Sequence, residues 1–456
     1  MAIEKQVIVD ATSYTPPEAG VVEDPRAIIA REPMGRAQII VVAICIALTA
    51  LDGFDVLSIS FASPGIAAEW RIDRAMLGIV LSMELIGMCA GSVFVGGLAD
   101  KIGRRPVILG CLLVMALGMA LATTAHDVTS LSEFRLFTGI GIGGMLAASN
   151  TVVAEFANAK RRNLAVALMA CGYPLGAIVG GSIASRLLVS GSWRSVFAFG
   201  AIASAAFLPL VWFLVPETIH YLAHRRPANV LERINAVLRR VGRAAVTALP
   251  APSPDAPRAR LVELFTPALA RTTVLLTVAY FAHLMTFYFI LKWIPKIVVD
   301  MGFAPSTAGG VLVWANVGGL IGALTISALT LRVGVRPLVI VAMLCAAVMV
   351  TVFGQGQADL THLSIVAAVA GMCTNGAIVG LYAIVAQSYP SAVRSGGTGF
   401  IIGVGRGGAA LGPIVAGFLF AHGGGLPSVA MVMALGSLLA AVAILALRYR
   451  EQHTAA

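Results

Sequence analysis

Twelve apolar runs divide the chain, at about 37–62, 75–98, 106–125, 132–156, 164–187, 195–215, 272–297, 305–331, 335–354, 361–388, 396–421 and 427–447. A helix crossing the hydrocarbon layer needs roughly 20 apolar residues, so each run is long enough to span. The pattern predicts an all-α membrane protein of twelve transmembrane helices in two six-helix bundles, 36–216 and 271–448. Polar stretches separate them: a tail over 1–35, a central loop over 217–270 and a short tail over 449–456. In the central loop Val230, Ile234, Val237, Leu238 and Val241 recur at helical spacing and predict a short amphipathic helix on the membrane face, followed by a Pro/Ala stretch around Pro250–Pro257. The first 35 residues, with Pro16 and Pro17, read as a mobile tail and not as a cleavable signal.

Composition agrees with this reading. Hydrophobic residues make up 58% and charged residues 12%, against about 45–50% and about 25% in soluble proteins. Disordered, collagen-like and disulfide-scaffold classes are excluded. The six cysteines (Cys45, Cys89, Cys111, Cys171, Cys345, Cys373) all lie in apolar runs without paired spacing, so neither a disulfide framework nor a metal site is expected. The net charge of +10 does not indicate nucleic acid, because the cations sit at segment ends. One alternating set of loops carries Lys101, Arg104, Arg105, Lys160, Arg161, Arg162, the central arginines, Arg332, Arg336 and Arg394, whereas the other has only Arg71, Arg74, Arg186, Arg194 and Lys296. Cytoplasmic loops are the positive ones, so both termini are expected in the cytoplasm and the chain in the inner membrane.

Segment 97–106 returns in worn form at 328–337: Lys101, Gly103, Arg105 and Pro106 match Arg332, Gly334, Arg336 and Pro337 at one constant offset. Duplicated six-helix halves are a common construction of secondary transporters. Two segments, Gly139-x-Gly141-x-x-Gly144 and Gly403-x-Gly405-x-x-Gly408, fit the dinucleotide fingerprint. Neither follows a strand, and both lie in apolar helices, where small residues let helices approach closely.

The loop Gly97–Arg105, with a Gly, an Asp, a basic residue, a Gly and two arginines, resembles the signature loop of the major facilitator superfamily. Leu51-Asp52-Gly53-Phe54-Asp55, the fourth-helix series Arg135…Gly139-x-Gly141-x-Gly143-Gly144…Asn150…Glu155 and the eleventh-helix Gly403-Val-Gly405-Arg406-Gly407-Gly408 are similar to the aromatic acid:proton symporter family. That resemblance implies the major facilitator fold and proton-coupled import of benzoate-type carboxylates. It also implies that Asp100, Arg104 and Arg105 form a cytoplasmic gating latch, completed by Glu155 with Arg161 or Arg162. Two departures stand out. Leu331 replaces the acid of the second loop, and Glu84 is not part of the family pattern.

A charge inside a membrane helix costs at least ~2.5–3.5 kcal/mol and is functional by default. At 1.5 Å per residue, Asp52 and Asp55 lie roughly 22–27 Å up the first helix, Glu84 roughly 21 Å up the second and Arg135 roughly 30 Å up the fourth. Asp52 and Asp55 share a helical face. Carboxylates that move relative to a cation change their proton affinity, so Asp52, Asp55 and Glu84, tuned by Arg135, are the candidate proton-coupling set. The competing readings are a helix-packing pair for the aspartates, exposure to water for Glu84 and an interfacial anchor for Arg135. Arg406, roughly 15 Å into its helix, presents a planar fork that matches a carboxylate. It is the candidate substrate anchor, with pairing to protein acids alone as the alternative. Tyr173, Tyr280, His283, Phe287, Tyr288, Trp314, Asn316, Asn375 and Tyr382 are candidate cavity lining. His283 is either a proton relay or a hydrogen-bonded structural residue, and Lys292 and Trp293 fit an interfacial anchor.

The expected partners are an aromatic carboxylate, protons and the bilayer, for a monomer with no cofactor, metal or nucleic acid. A proton-coupled importer of a non-aromatic acid and a proton-antiport efflux pump are the rival functions. No nucleophile–base pair suggests an enzyme.

Overall fold

Apolar runs become helices in lipid because a spanning segment must satisfy every backbone N–H and C=O internally. The computed structural model describes residues 23–250, 261–356 and 359–447. A short α1 (Pro25–Arg31) precedes the first half: α2 (Arg36–Trp70), α3 (Arg74–Ile102), α4 (Arg104–Ala122), α5 (Val128–Phe156), α6 (Arg162–Ser190) and α7 (Arg194–Leu214). Two short helices follow, α8 (Ile219–Arg225) and α9 (Val230–Arg240), and then a 3₁₀ turn at Leu261–Phe265. The second half holds α10 (Ala270–Asp300), α11 (Pro305–Leu329), α12 (Val335–Gly354), α13 (Leu360–Gln387), α14 (Ser391–Ala421) and α15 (Leu426–Ala446). Twelve of these helices are long and apolar enough to cross a membrane.

The helices overrun the apolar stretches that predict them. α2 continues to Trp70, because its polar end is held: Glu69 accepts from the Trp193 indole at 2.7 Å and from Arg194 at 2.9 Å. The tail expectation is corrected for residues 24–35. Asp24 caps α1, Ala159 N–H donates to the Ala30 carbonyl, and Arg243 pairs with Glu32 at 2.5 Å. The amphipathic helix of the central loop is α9, with Ile234, Val237 and Leu238 buried. The Pro/Ala stretch beyond Pro250 and the tail at 449–456 lie outside the described residues.

We call the face with the start of α2 and the end of α15 the terminal face, and the other the opposite face. The repeated basic loop has one structural role in both halves. Arg105 donates to the carbonyl of Trp212 at the end of α7, and Arg336 donates to those of Ile444 and Leu445 at 3.3 and 2.7 Å at the end of α15. Each arginine caps the last turn of the sixth helix in its half, where free carbonyls carry partial negative charge.

The two halves touch closely at the opposite face and part toward the terminal face. A methyl group built on Gly78 of α3 would lie 2.6 Å from the Pro413 carbonyl oxygen of α14, and one on Gly417 would lie 2.5 Å from that of Arg74. Further along the same helices Gly97, Gly396, Gly399 and Gly403 face open space. Phe61 of α2 lies against Gly181 of α6 and Gly309 of α11, completing the closure. The fold is therefore sealed on one side and splayed on the other.

Candidate substrate and proton site

The charged residues of α2, α3 and α5 converge. Asp55, Glu84 and Arg135 are wholly buried, and Asp52 nearly so. Arg135 Nη2 lies 2.5 Å from Glu84 Oε2 and donates to the Asp55 carbonyl oxygen at 2.8 Å, while its guanidinium stacks over Phe197. The Asp55 carboxylate accepts from Ser204 at 3.4 Å. One carboxylate oxygen of Asp52 and one of Asp55 have no partner, in a position where buried polar atoms are nearly always bonded. Arg135 is not an interfacial anchor, and Glu84 does not reach water.

The sequence reading missed one member of this cluster. Lys292 of α10, expected at the interface, is fully buried. Its ammonium donates to the Val56 carbonyl and lies 3.6 Å from Glu84 Oε2. Trp293 is buried too, with its indole bonded to the Pro413 carbonyl at 3.2 Å. Both residues are buried about two turns before the end of α10, so the anchor expectation is corrected for each. The apolar run ends at about 297 and gives no sign that the helix continues to Asp300, which places both residues deeper than the run suggests.

Arg406, half-buried on α14, crosses between the halves and donates to Ser92 of α3 at 2.6 Å. Its charge acts on Asp52, Tyr280 and Tyr288. Tyr280 and Tyr382 share a hydroxyl–hydroxyl bond of 2.8 Å, and Tyr280 lies over Gly405, where any side chain would collide with its ring. Tyr173, Phe287, Asn316 and Asn375 line one small cavity between the halves, of about 10 Å³, room for about one water. The ring of Tyr288 packs edge-on against Phe287.

Two candidates fall outside this grouping. Trp314 is 54% exposed, on an apolar stripe with Ile321 and Leu324, which is the lipid-facing side of α11. His283 is buried among α10, α13 and α15, with Nδ1 bonded to Ser437 and Nε2 to the Thr374 carbonyl, so both ring nitrogens are satisfied by helix packing.

At the terminal face Arg104 lies 3.1 Å from Asp100 and 3.4 Å from Glu155, joining α3, α4 and α5. Glu217 occupies the N-terminus of α4, accepting from its first N–H groups, Arg104 at 3.0 Å and Arg105 at 3.3 Å. Arg162 makes no ion pair with Glu155. Its charge acts instead on His220 of α8, whose pKa is held below the ordinary 6.5 by burial and by Arg26 and Arg162.

The sequence matches the profile of the Major Facilitator Superfamily over residues 44–315 and 276–456. The chain belongs to that superfamily. It is a multi-pass membrane transporter, not an enzyme. A gallate transporter of Pseudomonas putida is 29% identical over 92% of this chain and 93% of that protein. The 4-hydroxybenzoate transporter PcaK of the same organism is 30% identical over 85% and 88%. In fold, the chain is similar to the partially occluded, inward-open xylose transporter XylE from E. coli, with a TM-score of 0.70 at 17% identity over 92% of this chain and 99% of that one. The dinucleotide-like glycines are helix contacts: a methyl group on Gly139 would lie 2.1 Å from the Glu84 carbonyl oxygen, and one on Gly408 2.1 Å from that of Phe281.

Proposed function

We propose that the protein imports an aromatic carboxylate of the benzoate or hydroxybenzoate type together with protons, by alternating access. The carrying observation is the juxtaposition of Arg406, the mid-helix cation at the seam between the halves, with tyrosines and with Asp52 of the buried acid cluster. Transporters of gallate and 4-hydroxybenzoate among the relatives support the substrate class. In this reading the terminal face is cytoplasmic, as the basic loops indicate, and the geometry corresponds to the state open inward. Arg406 leaves Ser92 to hold the substrate carboxylate in a bidentate pair. Asp52 and Asp55 carry the protons, and Arg135 and Glu84 set their affinity by charge. The single cation directed to the seam from α14 suits an anion and gives a cation-exporting antiporter nothing to bind. The transporter works as a monomer in the inner membrane.

The test is uptake of radiolabelled benzoate-type acids into proteoliposomes under an inward proton gradient, with empty liposomes correcting for passive entry of the free acid. Accumulation that collapses with an uncoupler is expected. Accumulation indifferent to the uncoupler would remove proton coupling.

A further inference from the structure

Among the described residues, two ion pairs bridge the halves, Arg74–Asp300 at 3.0 Å and Lys292–Glu84 at 3.6 Å. Both belong to the sealed side. Lys292, Lys296 and Asp300 recur at four-residue spacing along α10 and so share one face of it. The Arg74–Asp300 pair is partly open to water, and Lys296 competes for the same aspartate. Such exposed pairs are screened and hold little. Lys292 differs from them: it is fully buried, it comes from the second half, and both atoms that receive it, the Val56 carbonyl and Glu84 Oε2, belong to the first half. Separating the halves on this side would strip a desolvated ammonium of both partners at once, whereas in the sealed state it is satisfied.

We propose that Lys292 is the inner latch of the sealed face, and that its hold on Glu84 and Val56 sets how readily the empty carrier opens on that side. The inference rests on the alternating-access reading and adds to it a residue outside the proton set and the anion anchor. Glu84 then serves two cations, Arg135 within its own half and Lys292 across the seam. Removing Lys292 leaves Glu84 paired with Arg135 at 2.5 Å, so no orphaned carboxylate is created and the fold should survive. Removing the charge of Glu84 instead leaves Lys292 bonded to Val56 while facing the unpaired guanidinium of Arg135, and the like charges press the seam apart.

The test uses the full chain with its six cysteines replaced and two spin-label pairs measured by electron–electron double resonance in nanodiscs. One pair spans the opposite face, at Arg71 and Ala304. The second spans the terminal face, at Arg161 and Leu331. Without substrate, Lys292→Met is expected to raise the population with a widened 71–304 distance about tenfold, the response to losing a charged hydrogen bond, with a matching contraction at 161–331. Lys292→Arg should return both distributions toward wild type. Glu84→Gln should widen 71–304 as well, and it carries the test if Lys292→Met does not fold. Wild-type distributions in whichever of these two variants fold would overturn the latch while leaving alternating access intact. If instead neither pair moves in wild type between benzoate-bound and empty conditions across pH, the rocking itself is absent and the latch falls with it.

Discussion

Arg135 holds four different groups at once: the Glu84 carboxylate, the Asp55 backbone, the Met119 sulfur and the Phe197 ring. Removing one partner of a buried pair destabilises by about 3–5 kcal/mol, so Arg135→Ala should lower the thermal midpoint strongly. Arg135→Lys, which keeps the charge but not the fork, should recover part of the loss. Asp55→Asn should abolish gradient-driven accumulation while sparing much of the exchange of internal for external substrate, since the amide mimics the protonated carboxyl but cannot release a proton. Asp52→Asn should behave alike if the pair titrates as a unit. Full accumulation in both variants would remove the aspartates from coupling. At Arg406, substitution by alanine should weaken carboxylate binding by about 2–5 kcal/mol in a calorimetric titration, as for other truncated buried charge pairs. The neutral amide of the same acid should lose far less. Unchanged affinity for the acid would make Arg406 structural. These residues were legible in the sequence because a charge in an apolar run has few structural uses. Lys292 was not, because its place near the end of a run looked like the interface and the run does not reveal how far the helix continues. Trp314 was misjudged for another reason: residue type does not say which side of a helix faces lipid, and only its stripe with Ile321 and Leu324 does.

Glycines set the spacing of the helices, and the cluster inherits its geometry from that spacing. Gly139 of α5 faces the backbone of Glu84 itself. Gly139→Ala would press a methyl group against a carbonyl that cannot rotate away, at a cost of about 1–3 kcal/mol for overpacking. The variant should show a lower melting temperature and weakened coupling, whereas Gly110→Ala on α4, which meets nothing within 4 Å, should match wild type. Equal behaviour of the two would contradict the assigned contact. On the terminal face, the depressed pKa of His220 gives a pH dependence with a definite sign. The folded protein binds this proton less readily than the unfolded chain, so the contribution of neutral His220 is intact above about 6.5 and is lost as pH falls below it. His220→Gln should flatten the acid-side loss in a melting series, and an unchanged series would contradict the assignment. Helix count and order were legible because apolar length alone dictates spanning. Helix ends were not, because polar side chains such as Glu69 fix them through contacts distant in sequence.

At the scale of the molecule, two halves of duplicated design meet through glycine contacts on one side and separate on the other. The internal repeat was visible in the basic loop. The reason it persists, Arg105 and Arg336 each closing the sixth helix of a half, required the fold. Which side is sealed was not legible, because both sides are built from the same residue types. The central claim is that substrate and protons move together through the seam. The direct measurement is the luminal pH of dye-loaded proteoliposomes as a benzoate-type acid is added outside without an imposed gradient, set against liposomes carrying Asp55→Asn. The account predicts acidification faster in wild type than in Asp55→Asn, where the rate falls to that of passive entry of the free acid. Protein-dependent uptake of the radiolabelled acid with identical acidification in both preparations would contradict it.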